Sequence, residues 1–386
     1  MKLKSGTSCE DESRIAWLTL KLISDLGNRS LLRLVRHFGS PVAVVNAGPK
    51  EVAAVPGLRE QAAAALLKRQ LLRAPEEEWE SLQREGVRMI CLGDPDYPSN
   101  LKAIPDPPAV LFVKGALEPR DLVSVAVVGS REASPTGMAF TERLCADLAR
   151  SAVTVVSGFA VGIDRAAHCG ALKAKGRTLA VLGCGLDVDY PRGSAQLGRE
   201  IAESGALLSE FPFGTPPAPM HFPLRNRIIS GLALGVVVVE AAQRSGSLIT
   251  ARFALEQGRE VFAVPGPASH FRSAGPHSLL KQGAKLVENV EDILEEIRPL
   301  VKPSPEMERR PEAKLKGVCP RPSVTPEEKA LLDVLDHTPR HIDDICRRLQ
   351  WPVSQVATML LSLEMKGIVQ QLPGKHFMDA AAPAET

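Results

Sequence analysis

Apolar residues fall in two rhythms along this chain, and the change of rhythm divides it. From residue 14 to 72 they recur every three to four positions, which predicts helices over 15–26, 31–38 and 58–72, the last following the breaker Val55-Pro56-Gly57. From Val123 to about Ile297, short continuous apolar runs alternate with helical patterns instead. The runs at 125–128, 153–156, 178–182, 206–209, 236–240 and 261–264 predict strands, preceded by another apolar strand at 110–113. Strands that are apolar on both sides and separated by amphipathic helices belong to a parallel sheet covered on both faces. The expected fold class is α/β, a doubly wound, mostly parallel sheet of the Rossmann-like kind.

Residues 299–325 are rich in proline and charge and have no periodicity, as expected of a linker. Beyond it, helices are expected over 326–335, 342–349 and 353–365, then a β-hairpin within 367–378 turning at Pro373-Gly374. That order is winged-helix-like. The expected division is a helical domain of the SAM or helix-hairpin-helix kind (1–80), the Rossmann-like core (81–298), the linker (299–325) and a winged-helix-like domain (326–386). Within the first, Leu26-Gly27-Asn28 and Val55-Pro56-Gly57-Leu58 each set a glycine between two helices. Such turns can offer amides to a phosphate, but helix C-caps are the commoner use and the preferred reading.

Composition narrows the function without choosing it. No apolar run approaches the roughly 18 to 20 residues that span a bilayer, and the N-terminus turns polar and acidic where a signal peptide would be apolar, so a cytoplasmic protein with no membrane span is expected. The seven cysteines are scattered without CxxC spacing, which suggests neither a disulfide frame nor a zinc site. Net charge is only +2, so any phosphate binding must come from local clusters.

Ligands of an open parallel sheet bind beyond the carboxyl ends of its strands. Four predicted strand ends there share one chemistry: Gly129-Ser130-Arg131, the run 157–164 (SGFAVGID), Gly183-Cys184-Gly185, and 243–247 (QRSGS). Small residues with free amides, hydroxyls and arginine suit an anion. Any one loop is as readily plain geometry; their repetition on one edge, with Arg131 and the pair in Arg225-Asn226-Arg227, favours a binding site. No GxGxxG or GxxxxGK[ST] is present, so a dinucleotide or Walker-type site is not indicated. Asp164, Asp187 and Asp189 lack metal-ligand spacing, and His168 reads as a structural hydrogen-bond partner. Neither a cofactor nor a metal is expected. An alternative is a nucleotide-phosphate-binding or nucleotide-processing enzyme on a related fold; Glu240, at a strand end, is its one plausible carboxylate.

These residues also resemble a known family. The segments VAVVGSR, SGFAVGID with Ala167-His168, GCGLDVDYP, SEFP and the long block from FPLRNRIISG to REVFAVPG, spread over 125–283, are similar to the DprA/Smf DNA-processing proteins. The resemblance implies a non-enzymatic protein that binds single-stranded DNA without sequence preference, dimerises, protects incoming DNA and helps load the recombinase RecA during natural transformation. It places the DNA-backbone site at Gly129, Ser130, Arg131, Ser157, Gly158, Gly162, Gly183, Gly185, Arg225, Asn226, Arg227, Ser245, Gly246 and Ser247. Arg131 and Arg225 are expected to bond phosphate oxygens, and Asp164 and Asp187 to brace the loops. Two positions depart from the family pattern: Val161, where many relatives are basic, and His277, where asparagine is usual. Arg165, Lys281 and Lys285 are possible additional basic contacts.

The third helix of the tail, 353–365, carries no arginine, which suits a protein-interaction or regulatory role better than reading duplex DNA. Asp343, Asp344, Arg347 and Arg348 on the helix before it read as a solvated face of mixed sign. Aromatic residues make up 4% of the chain, so single-strand affinity is expected to be mostly electrostatic and salt-dependent. Of Phe159, Phe211, Phe213 and Phe222, at least two are expected in the core and the others free to stack on bases.

Overall fold

The computed structural model describes residues 9–300, 326–332, 334–335, 340–365, 369–372 and 376–379. The chain divides into two compact units, Met1–Lys302 and Pro303–Thr386. In the first, six helices precede the sheet: α1 (Cys9–Leu22), α2 (Asn28–Phe38), α3 (Pro41–Asn46), α4 (Pro49–Ala53), α5 (Glu60–Lys68) and α6 (Pro75–Arg84). Helix α1 ends earlier than its apolar period suggests, because Ile23 bridges Leu71 and Asp25 turns into the left-handed region at φ 62°. Helix α5 likewise stops where Arg69 adopts φ 48°. Each of the short helices α3 and α4, which the pattern does not predict, opens on a proline.

Nine strands among the described residues form one sheet: β1 (Val87–Cys91), β2 (Val110–Gly115), β3 (Ser124–Val128), β4 (Thr154–Ser157), β5 (Thr178–Leu182), β6 (Ala206–Ser209), β7 (Gly235–Val238), β8 (Glu260–Ala263) and β9 (Lys285–Leu286). Their order is β1-β2-β6-β5-β4-β3-β7-β8-β9, antiparallel at β1/β2 and β2/β6 and parallel elsewhere. The helices between and after them are α7 (Ser99–Lys102), α8 (Pro135–Arg150), α9 (Ile163–Lys173), α10 (Ala195–Ser204), α11 (His221–Leu232), α12 (Gly246–Glu256), α13 (Ala274–Lys281) and α14 (Glu291–Ile297). From β3 the chain winds outward through β4, β5 and β6, then returns to add β7 on the other side of β3. The switch point lies between β3 and β7, where loops diverge and leave a crevice.

The continuous valine runs are explained by burial on both faces. Ala126, Val128, Val156, Val236 and Val238 face Ile228, Ile229, Ala251 and Ala254 of α11 and α12. The alternate residues Val125, Val127, Val155 and Val237 face Leu144, Leu148, Ile163 and Ala167 of α8 and α9. Each valine, leucine or isoleucine among them, fully buried, contributes about 1.5–3 kcal/mol relative to exposure. The helical front shares its core with the sheet edge: Leu18, Leu22 and Leu82 pack with Val87, Val110, Phe112 and Phe213.

The second unit comprises α15 (Pro326–Leu332), β10 (Arg340–His341), α16 (Ile342–Leu349), α17 (Val353–Met365), β11 (Val369–Leu372) and β12 (His376–Asp379), with strand order β10-β12-β11. Ile345, Val356, Leu360, Leu363 and Phe377 form its core. The exposed positions of α17 include Val353, Ser354, Gln355, Ala357 and Thr358, none of them charged. On α16, Arg347 pairs with Asp344 at 2.5 Å, in keeping with a solvated face. Most of the expected linker and the turn at Pro373-Gly374 lie outside the described residues. No helix among the described residues is long and apolar enough to cross a membrane.

Candidate nucleic-acid interface

The loops at the carboxyl ends of β3, β4, β5 and β7 converge on the first turns of α11. Phe222, at its start, is the common floor. The Arg131 guanidinium lies over its ring at 4.8 Å, that of Arg225 at 5.9 Å, and the Tyr190 ring at 5.8 Å. A Cβ on Gly183 would stand 3.0 Å from the same ring, so a larger residue there would have to push the ring aside by a few tenths of an ångström. Gly162 has φ 81°, and a Cβ there would meet the carbonyl oxygen of Ser130 at 2.3 Å. That glycine lets the β3 and β4 loops rest on each other, sealed by the Ile163 amide donating to Ser130 O at 3.2 Å. The β7 loop joins through Asn226, whose Nδ2 donates to Gly246 O at 3.2 Å.

Two helices begin on this edge with serine caps. Ser134 accepts from the Gly137 amide at 3.0 Å and Ser245 from the Ser247 amide at 3.4 Å. The amides of Ser130, Arg131, Gly158 and Gly183 meet no protein acceptor among the described residues. Arg131 is exposed and has no carboxylate partner among them. Arg165, in the first turn of α9, is exposed as well. Arg192 and Arg244 are exposed in the β5 and β7 loops; sequence reasoning missed both, although Arg244 stood inside a quoted glycine loop.

The structure corrects the expected roles of several other residues. Arg225 is 4% exposed, and its Nη1 donates to the carbonyls of Gly158 and Val181. It ties two loops together and is not presented to a ligand. Burial lowers its pKa to about 10, against the opposing pull of the Asp164 carboxylate. Arg227 points the other way: its Nη2 pairs with Glu210 at 2.6 Å, and its Nε lies 3.6 Å from Asp106. Ser157 is buried and its hydroxyl donates to Val127 O at 2.7 Å, so it serves the sheet. Gly185 is buried against Pro212 O.

Lys281 ends α13, which starts beside Ala241 at the carboxyl edge and runs back across the sheet, and Lys285 lies in the edge strand β9, 2.7 Å from Glu296. Neither belongs to the glycine loops, and Lys285 is held by its own ion pair.

The braces behave as the sequence suggests. Asp164 accepts from the Ala160 amide at 3.3 Å, and burial raises its pKa while Arg225 pulls it back. Asp187 accepts from the Gly214 amide at 2.8 Å. His168 is fully buried, 2.7 Å from the Thr178 hydroxyl, and burial pushes its pKa down to about 3. Phe159 and Phe213 are core residues, whereas Phe211 stacks on His221 at 4.3 Å and Phe222 floors the crevice. Glu240 is engaged too, accepting from the Ser134 hydroxyl at 2.5 Å and amide at 2.9 Å. At the two departing positions, Val161 is 44% exposed beside the crevice, and His277 Nε2 lies 3.0 Å from Gly266 O.

Residues 88–298 match the family model for DNA recombination-mediator protein A, and 319–375 that for the DprA winged helix domain. The chain belongs to the DprA/Smf family. Protein Smf of Escherichia coli is 44% identical over 76% of this chain and 78% of its own length. DNA processing protein DprA of Bacillus subtilis is 44% identical over 62% and 82% respectively. The solved DprA of Streptococcus pneumoniae superposes with TM-score 0.64 at 37% identity, over 77% of this chain and 99% of that one. DNA processing protein A of Helicobacter pylori, described for its single-stranded DNA binding mode, gives TM-score 0.50 at 28% identity over 56% of this chain and 97% of that one. Membership assigns the chain to DNA processing and recombination.

Proposed function

We propose that this chain binds single-stranded DNA without sequence preference at the carboxyl edge of its sheet. In this reading it acts in the cytoplasm as a homodimeric, non-enzymatic recombination mediator, protecting incoming strands and helping to load RecA during natural transformation. The observation that carries the binding site is Arg131: an exposed guanidinium without a carboxylate partner, lying over Phe222 among glycine loops with unused amides. Phosphates take the amides of the β3, β4 and β5 loops and the serine-capped turn at 245–247, with Arg131, Arg165 and Arg244 supplying charge. Phe222, half-buried beneath Arg131, suits one stacked base. Arg225 acts through the loops it ties together. A mediator fits better than an enzyme because Glu240, the plausible catalytic carboxylate at a strand end, is already engaged at the cap of α8.

Equilibrium binding of a labelled single-stranded oligonucleotide, against duplex of the same sequence, tests the site. Tight single-strand binding that Arg131→Ala weakens alike on every sequence is the expected result. Failure of that substitution to matter, or no preference for the single strand, overturns the proposal and directs the search to nucleotides.

A further inference from the structure

The chain's positive charge is concentrated away from the glycine loops. Residues 27–73 hold eight arginines and lysines against two glutamates, a net +6 in a chain whose total is +2. On α2, Arg29, Arg33 and Arg36 recur at four and three residues, forming one stripe about 10 Å long, while Leu31, Leu32 and Leu34 are buried. Two glycine turns crowd the same face. A Cβ on Gly57 would stand 2.8 Å from the Arg33 Nη1, and one on Gly27 would stand 3.5 Å from the Arg59 Nη2. Each of the two glycine turns thus borders an arginine contributed by the other connection. Arg29 has Asp106 at 3.3 Å; Arg33, Arg36 and Arg59 have no carboxylate partner among the described residues. Gathering like charges without counterions costs stability, which a bound polyanion returns.

We infer that this arginine face is a second nucleic-acid surface, one that takes the backbone of duplex DNA. Its chemistry differs from that of the crevice. The single Phe, Tyr or Trp in 27–73 is Phe38, half-buried and edge-on to the His37 ring at 5.0 Å, so the face offers little on which unpaired bases could stack. A stripe about 10 Å long spans about three phosphates of one duplex strand along the helix axis, where only backbone contact is needed. The second unit is a weaker candidate for the same task, since the exposed face of α17 is uncharged and Arg347 is already paired. With the crevice holding the single strand, the molecule is suited to a duplex carrying a single-stranded tail. The duplex surface itself does not depend on that reading.

The test uses the full chain, a blunt duplex, a tailed duplex and the tail alone, titrated over a range of salt. In Arg33→Ala/Arg36→Ala/Arg59→Ala, affinity for both duplexes is expected to fall about 10-fold or more, with the slope of log affinity against log salt reduced by about 2 to 3. Binding of the tail alone should stay within about two-fold of wild type. The triple lysine variant, which keeps the charge, should recover most of the loss and so excludes a folding defect. Unchanged duplex affinity in the alanine variant overturns the inference, as does loss of duplex binding in Arg347→Ala/Arg348→Ala instead. Loss of tail binding in Arg131→Ala tests the crevice separately, so each reading fails on its own arm.

Discussion

The two ends of the parallel sheet use arginine in opposite ways. At the amino ends of the strands, Arg177 makes a fork to Asp121, both bonds at 2.8 Å, with further bonds to Glu118 at 2.7 Å and to the carbonyls of Ser204 and Ala116. Arg259, just before β8, donates to the carbonyls of Asn100 and Gly231. At the carboxyl ends, Arg131 has an aromatic floor and no carboxylate. The residue type is the same; the supply of acceptors around it decides whether its donors are spent on the fold or left open. Arg225 shows that position at the site edge is not enough, because two backbone carbonyls already claim it.

Removing Arg177 should break this comparison hardest. Arg177→Ala leaves the buried Asp121 without its partner, and the expected loss is about 3–5 kcal/mol in denaturant unfolding, with single-strand binding of the folded fraction unchanged. Gly162→Ala should affect both ends of the argument, costing about 1–3 kcal/mol through its left-handed φ and its collision with Ser130 O and weakening single-strand binding at the same time. A variant that kept full affinity would show that the contact between the β3 and β4 loops does not shape the site.

A pH series isolates His168. Its folded pKa of about 3 lies below the 6.5 of a free imidazole, so between those values the unfolded chain binds a proton that the native state refuses. Stability is therefore complete above the upper value and falls as pH drops through the window, by up to about 1.4 kcal/mol per pH unit. His168→Asn should flatten that dependence in unfolding curves at pH 7 and 5.

Arg131→Ala is expected to cost about 1.4 kcal/mol of single-strand binding, a ten-fold loss, and to lower the salt slope by about 1 while leaving stability within about 0.5 kcal/mol. The smallest effect should come from Lys281→Ala/Lys285→Ala, less than about two-fold in binding, because neither belongs to the glycine loops and Lys285 is already paired with Glu296.

The sheet was legible in the sequence to within one or two residues per strand, since burial on both faces leaves an apolar run that no other element explains. Strands β1 and β9 were not, because Val87-Arg88-Met89-Ile90-Cys91 is short and interrupted by a charge facing solvent, and β9 is two exposed residues. The glycine loops and Arg131 were legible as well, because their chemistry is local. The facing of Arg225 and Arg227 was not: two residues apart on one helix, they point to different partners, and those partners, Gly158, Val181, Glu210 and Asp106, come from distant segments. The pairing of Lys285 with Glu296 was hidden for the same reason, since charge is visible in a sequence and its partner is not.

Val125 pairs with Gly235, 110 residues further along, and that pairing sets β3 at the centre of the sheet. Closing so long a loop is slow relative to local contacts. During synthesis, the strand that leads to Arg131 therefore leaves the ribosome well before the strand that completes its crevice. Until β7 arrives, one edge of β3 is an open acceptor for any other strand, so the interval between the two is when a nascent chain of this fold is most exposed to mispairing.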